Sequence, residues 1–294
     1  MARAMGVSVV ELDTELPFTA ARARNAGFEA LDALEDGLLF VQFVDGDCEL
    51  DEDWVESARN VMLERSDAVV VCGRRSERYP AATVYNLLCD MEWDTPIGEA
   101  NECGGDSLIR AEDFRAVEGF RPDLIAGEEP ELCSRLRAEG GRVLRIDVPM
   151  TLHDARIESL SQWWVRSVRA GHANAEGALR QTAAGGKRAG RGVRSTWFWG
   201  LVLPVLILLA GLSLHFIAGL LLSAIYLAQV ARIALRRPKP RFSNRDQWIY
   251  ALSCVFGKLP NAQGQLRFWR GRLTGRRSDL IEYKQPVASN GKAS

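Results

Sequence analysis

Apolar positions change their spacing twice along this chain, and each change predicts a different kind of element. Through the first half, strand-length apolar runs alternate with stretches of helical period. Residues 7–12 form a short β-branched run, 18–34 have helical spacing, 38–44 (LLFVQFV) are continuously apolar, 53–64 are amphipathic, and 68–72 (AVVVC) are apolar again. Such a succession predicts an α/β domain with a mostly parallel sheet. Beyond it the pattern gives a helix at 80–93 and an extended stretch at 99–110, where Gly104-Gly105 leaves room for a ligand or another backbone. A short helix, a turn at Gly119-Phe120, a helix at 128–139 ended by Gly140-Gly141, and a strand at 142–148 complete the domain.

From 197 to 231 the chain is almost free of charge, which suits a bilayer rather than a soluble core. As one helix this run would reach roughly 50 Å, against a hydrocarbon core of about 30 Å. The polar break from Gly211 to His215 would divide it into a helical hairpin or a re-entrant pair; one tilted span is the competing arrangement. Lys187, Arg188, Arg191 and Arg194 precede it, and Arg232, Arg236, Arg237, Lys239 and Arg241 follow. Basic flanks at both ends place both in the cytoplasm, as an even number of spans requires. Further on, Trp248, Ile249, Tyr250, Leu252, Val255 and Phe256, then Leu266, Phe268 and Trp269, are interleaved with Arg245, Lys258, Arg267, Arg270 and Arg272. That mixture suits a helical segment lying in the interface of an anionic leaflet. Four regions follow: a domain at 1–180, a basic Gly-rich linker at 181–196, a transmembrane hairpin at 197–232, and a basic amphipathic segment with its tail at 233–294.

Charge sharpens this division. The net charge of −1 over 294 residues conceals 16 Lys+Arg against 34 Asp+Glu in 1–160, and 21 against 4 in 161–294. With the apolar run present, the basic half is expected to meet anionic lipid, not nucleic acid. The start, MARAMGVSVVELD, has no long apolar stretch, so the first domain is expected in the cytoplasm, at the inner membrane face. Cys48, Cys72, Cys89, Cys103, Cys133 and Cys254 are scattered, which predicts reduced packing thiols.

The apolar run at 38–44 collapses into Asp45-Gly46-Asp47. A buried strand that ends in two carboxylates presents them at the sheet edge where ligands of α/β folds bind, and both can turn toward one hard divalent cation. An acidic turn that merely leads into the next helix is the alternative. Mg²⁺ or Mn²⁺ is expected rather than zinc, since no Cys/His cluster accompanies the pair in sequence. Glu128 and Glu129 open a helix; acids favour such a position for electrostatic reasons alone, and Pro130 suits the first turn.

Five motifs, ARARNAGF (21–28), FVDGDCEL (43–50), CGGDSLIR (103–110), the turn EGF before GEEPEL (127–132), and SQWWVRSVRAGHA (161–173), stand in the order and spacing of a known family. Over roughly 7–173 the chain resembles family-2 glycosyltransferases of the GT-A, Rossmann-like fold. The resemblance implies a hexosyltransferase-type enzyme that moves a sugar, with inversion, from a nucleotide-sugar donor to a lipid-linked or polysaccharide acceptor. It implies Glu129 as catalytic base, one methylene longer than the family's usual Asp. Arg24, Asn25, Asp45, Asp47 and Arg166 would bind the donor. Gly104, Gly105, Asp106 and Glu128 would meet the acceptor, and Asp47, Asp45 and His153 would hold Mg²⁺ or Mn²⁺. Gln162 and Arg166 depart from the spacing of processive synthases, so processivity is not implied. Relative to the family about fifty N-terminal residues are missing, so a truncated nucleotide-binding half is expected, with 7–12 as the strand just before ARN. Two other readings remain: an inactive homologue acting as a membrane-bound scaffold, and a membrane protein whose acidic domain only binds a cation.

Overall fold

The structure, a computed structural model, describes residues 6–124, 126–183, 190–213, 215–236 and 239–275. Part of the expected linker, with Lys187 and Arg188, lies outside the described residues, as do Arg237 and the tail from Arg276. Contacts divide the chain into two compact units, one of 1–78, 92–154 and 177–187, the other of 79–91, 155–176 and 188–294.

In the first unit, helix α1 (Ala20–Asp32) starts where Thr19 Oγ1 accepts the Arg22 N–H at 3.1 Å. Strand β1 (Phe40–Phe43) turns Val41 and Phe43 into the core. After the acidic turn come β2 (Cys48–Leu50), α2 (Trp54–Glu64) and β3 (Ala68–Glu77), while the next helix of the chain, α3 (Val84–Trp93), belongs mostly to the second unit. There follow β4 (Gly98–Glu99), β5 (Ser107–Arg110), α4 (Ala111–Ala116), α5 (Glu128–Ala138) and β6 (Arg142–His153). The sheet order is β1-β5-β3-β6-β2, with β4 also on β6.

The mostly parallel sheet expected from the alternation is corrected: among the described residues β3–β6 is the one parallel pairing. β1, β3 and β6 share a direction, but β5 enters between β1 and β3 and runs against both, while short β2 and β4 pair antiparallel with β6. Alternating periodicity locates strands; it does not say which strand slips between two others. The strand expected at 7–12 is likewise absent: those residues join no ladder, and Val7, Val9 and Val10 are exposed.

Two packing features govern where the site falls. Phe28, Phe43, Phe114 and Phe120 form an aromatic cluster with centroids 4.6–5.3 Å apart, which ties α1 and β1 to the turn after α4. That turn needs glycine: Gly119 has φ 65°, and a Cβ there would lie 2.8 Å from Asn25 Oδ1. On the other side of the sheet Trp54 is wholly buried and donates Nε1–H to Gln42 Oε1 at 2.9 Å. At about 25 cal/mol per Å² its burial contributes roughly 4–6 kcal/mol before entropy is counted. The pairing of β3 with β6 shifts register around Gly73, where a Cβ would meet the Trp54 ring at 2.6 Å and the Val148 carbonyl at 2.7 Å. Bulges beside functional sites re-aim side chains, and this one brings Arg75 opposite Thr151.

The second unit is helical apart from its loops. The apolar run is two helices rather than one: α7 (Gly190–Trp197), a π-turn (Phe198–Val202) and α8 (Leu203–Ser213) form one span-length helix, and α9 (Phe216–Arg236) forms another. Both are long and apolar enough to cross a membrane; 22% and 6% of their most apolar windows are buried, far less than a soluble core helix would show. They approach closely at Gly211 and Gly219, where a Cβ on Gly219 would stand 3.1 Å from Gly211 Cα. Tyr226 donates its hydroxyl to the Trp199 carbonyl at 2.6 Å, beside the π-turn where the regular ladder is interrupted. Helix α6 (Leu160–Ala183) runs into this unit's packing, and α10 (Asn244–Phe256) and α11 (Lys258–Leu273) follow the hairpin. Trp163 stacks on Phe256 with centroids 5.9 Å apart, and α11 meets α6 through Gly171 and Gly264. On α10, Trp248, Leu252 and Phe256 recur every fourth residue and are exposed, whereas Gln247, Ala251 and Val255 are buried.

Gly73→Ala should destabilise the first unit by about 1–3 kcal/mol through the Trp54 overlap. Thermal unfolding of the detergent-solubilised chain checks this; an unchanged midpoint would mean that the ring yields freely.

Candidate functional site

The acidic turn is built by backbone bonds on both sides. Cys48 N–H reaches Asp45 O at 3.0 Å, closing 45–48, and Asp154 N–H reaches Asp47 O at 3.1 Å, pinning the turn to the end of β6. Beneath it lies Asp106, with no exposure at all. One of its oxygens accepts the Asp45 N–H at 2.8 Å; the other takes the Thr151 hydroxyl at 3.0 Å and the Cys48 thiol at 3.3 Å, with Arg75 Nε also 3.3 Å away. A buried carboxylate is tolerated when satisfied this fully, and it fixes the direction in which Asp45 and Asp47 emerge.

Above the turn a single guanidinium serves three carboxylates. Arg24 Nη2 is 2.6 Å from Asp45 Oδ1, and its Nη1 is 2.8 Å from Glu128 Oε1 and 3.3 Å from Glu129 Oε1. Burial works against the Arg24 charge, but Glu129, Asp45 and Glu128 together outweigh it and raise its pKa. One cation cannot neutralise three acids. Burial and the neighbouring Glu128 carboxylate therefore push Glu129 up to about 8, against the opposing pull of Arg24. Glu129 is thus poised to exchange a proton near neutral pH.

The donors that could hold a cation converge on the same turn. Asp45, Asp47, Cys48 and His153 each offer a ligand atom within 4.8 Å of the others. His153 Nε2 lies 3.2 Å from Asp47 Oδ1, its ring edge-on to Trp93 at 4.6 Å, and its buried Nδ1 has no hydrogen-bond partner. The carboxylates and imidazole fit Mg²⁺ or Mn²⁺. Of the four, Asp45 is also engaged by Arg24. The expectation that no Cys/His pair accompanies the acids is corrected: the β2–β6 ladder sets Cys48 opposite His153. Burial, then the Asp106 carboxylate, raise the Cys48 pKa and keep it a thiol.

The remaining expected site residues make contacts within the fold. Asn25 donates its amide to the Phe120 carbonyl at 2.8 Å and accepts the Phe120 N–H at 2.9 Å, which holds the Gly119 turn. Asp106, expected at the acceptor, is buried under the acidic turn, and Glu128 is buried against Arg24. Gly105 lies against the Asp45 carboxylate and Gly104, at φ 82°, against the Arg75 guanidinium, so side chains at either would displace them. Arg166 is half-buried on α6 in the second unit. Arg75, Thr151, Cys48 and Trp93 were not anticipated. The signal for Arg75 was available: two arginines interrupt an apolar strand, and a buried arginine on a strand needs a carboxylate.

No protein-family model matches the sequence, and no curated protein matches it. Among solved structures the chain is similar to the mannosyltransferase PcManGT from Pyrobaculum calidifontis in complex with GDP-Man and Mn²⁺, at 15% identity and TM-score 0.51, over 84% of this chain and 66% of that one. It therefore spans a little under two thirds of that mannosyltransferase chain. Staphylococcus aureus TarS 1–349 with UDP-GlcNAc aligns at 13% identity and TM-score 0.40, over 95% of this chain and 80% of that one. The same TarS fragment alone aligns at 11% and 0.38, over 91% and 77%. The likeness to the mannosyltransferase is one of mixed α/β fold.

Replacing Arg24 by Gln should cost about 3–5 kcal/mol, the usual consequence of leaving buried charge uncompensated. The loss should be smaller at pH 5 than at pH 8, because protonated carboxyls no longer repel. Thermal melts at the two pH values check this; an equal loss at both would assign Arg24 a packing role only.

Proposed function

We propose that this chain is a membrane-associated glycosyltransferase of family-2, GT-A type that transfers a hexose, with inversion, from a nucleotide-sugar donor to a lipid-linked or polysaccharide acceptor. The observation that carries this reading is the joining of the two halves of the chemistry by one side chain: Arg24 bonds Asp45 of the acidic turn and Glu129, whose pKa is near 8. The mannosyltransferase of like fold, solved with GDP-Man and Mn²⁺, supports a nucleotide-sugar donor and a divalent cation.

Asp47 and His153 would hold Mg²⁺ or Mn²⁺, which when bound supplies positive charge for a diphosphate leaving group. Asp45 orients the donor side, its direction set by Asp106 through the backbone amide. Glu129 takes the proton of the acceptor hydroxyl as it attacks, and Arg24 keeps the resulting neighbourhood of acids from repelling the donor. Gly104 and Gly105 keep the floor beside Asp45 free of side chains. The span-length helices, together with the exposed Trp248–Leu252–Phe256 face, support a site at the inner membrane face, where the interfacial helices meet anionic lipid.

Because Glu129 must be deprotonated to act as base, turnover should rise roughly tenfold per unit of pH below about 8 and level off above it. Glu129→Gln should retain donor binding, lose roughly 10²-fold or more in turnover, and lose that pH dependence. Near wild-type turnover in the variant would return Glu129 to a helix-opening acid. Donor binding by the wild type without turnover at any pH would favour the scaffold reading.

Reporter fusions after Arg194, after Arg241 and at the C-terminus should all be cytoplasmic, while a tag at Ser213 should be periplasmic or buried. A C-terminal reporter on the far side would remove the hairpin topology.

A further inference from the structure

Sugar transfer uses the carboxylates and the imidazole of the acidic turn, yet the turn also carries a thiol with no part in that chemistry. Pairing of Cys48 with His153 across β2 and β6 is fixed by the ladder, so the two side chains emerge together. Asp47 Oδ1 lies 3.2 Å from His153 Nε2 and 4.0 Å from Cys48 Sγ. In tetrahedral zinc, bonds of about 2.0–2.2 Å to N and O and about 2.3 Å to S put N and O about 3.4 Å apart and S and O about 3.6 Å apart. Two of the three donor pairs thus stand within a few tenths of an ångström of a zinc-ligand arrangement, and all three donors, with Asp45, lie within 4.8 Å of one another. His153 is almost fully buried while Asp47 is open to solvent, giving a rigid side and a point of entry.

We infer that Asp47, Cys48 and His153 form a thiolate-containing site for zinc or a similarly soft divalent ion, and that its filling excludes the hard cation used in sugar transfer. The second half of this inference rests on the transferase reading; the first does not. On capture the Cys48 S–H bond breaks, a metal–sulfur bond forms, and the proton leaves to solvent, so no oxidant or reductant is involved. The thiol gives up its contact with Asp106, which keeps Thr151, Arg75 and the Asp45 amide. The Asp47 carboxylate and the thiolate together neutralise the dication, leaving Asp45 with Arg24. Mg²⁺, which favours oxygen, does not draw the thiol in.

The test uses the detergent-solubilised full chain and Co²⁺ as a spectroscopic probe of the zinc site. A near-ultraviolet thiolate-to-cobalt charge-transfer band with intense visible bands is expected, bleached by a stoichiometric addition of Zn²⁺. Cys48→Ser should abolish the charge-transfer band and weaken zinc binding by about tenfold or more, while Mn²⁺ binding, read by electron paramagnetic resonance, shifts by less than about threefold. Retained Mn²⁺ binding shows that the variant is folded. Should it not fold, Zn²⁺ should protect Cys48 of the wild type from alkylation, read by peptide mass spectrometry. A cobalt spectrum without sulfur ligation, unchanged zinc affinity in Cys48→Ser, or equal alkylation with and without Zn²⁺ would overturn the inference. Sulfur ligation in a chain with no transferase activity would leave this site standing and remove the transferase reading; Mn²⁺-dependent transfer without sulfur ligation would do the reverse.

Discussion

A single positive charge, Arg24, holds three carboxylates that arrive from two distant parts of the chain. Without it, Asp45 at the end of the acidic turn and the two glutamates at the start of α5 would repel one another in a site sheltered from water. Its side chain is 13% exposed and that of Glu128 is 7%, so the attraction is poorly screened. The same shelter makes the arrangement strained electrostatically, and the strain is relieved at Glu129, which holds a proton more firmly than a free carboxyl does. A functional pKa here is a consequence of counting charges in a dry place.

The second constraint is geometric. Arg24 can reach all three acids only because the turn after α4 is clamped to α1 by Asn25 and the aromatic cluster, and because Asp106 aims Asp45 from below. Both devices depend on glycines: Gly119 lets the clamp close, and Gly73 lets β3 shift register so that Arg75 meets Asp106. Residues that never touch a substrate in this scheme are therefore responsible for its precision.

Much of this was legible in the sequence where the signal is local. The strand that ends in Asp-Gly-Asp, the helix opened by Glu128 and Glu129, and the break in the apolar run near His215 were all read from patterns a few residues long. What the sequence hid is long-range. Asp45 and Asp106 are 61 residues apart and Arg24 and Glu128 are 104 apart, so no periodicity reports their meeting. For the same reason the antiparallel insertion of β5 could not be read from alternation. The Cys48–His153 pair was hidden because strand β2 is only three residues long, too short to announce itself between an acidic turn and a helix.

The charge count also explains why this turn invites a cation. Two arginines, Arg24 and Arg75, are linked through these contacts to five carboxylates, Asp45, Asp47, Asp106, Glu128 and Glu129. One proton on Glu129 leaves two negative charges in excess, which one divalent ion on Asp47 and His153 would balance. To act as base Glu129 must first give up that proton, which would leave one negative charge beside a donor that is itself anionic, and taking the proton of the acceptor hydroxyl would restore the balance. The negative excess that a cation would balance and the raised pKa of Glu129 are therefore two expressions of one imbalance, and a change in either should be felt by the other through Arg24.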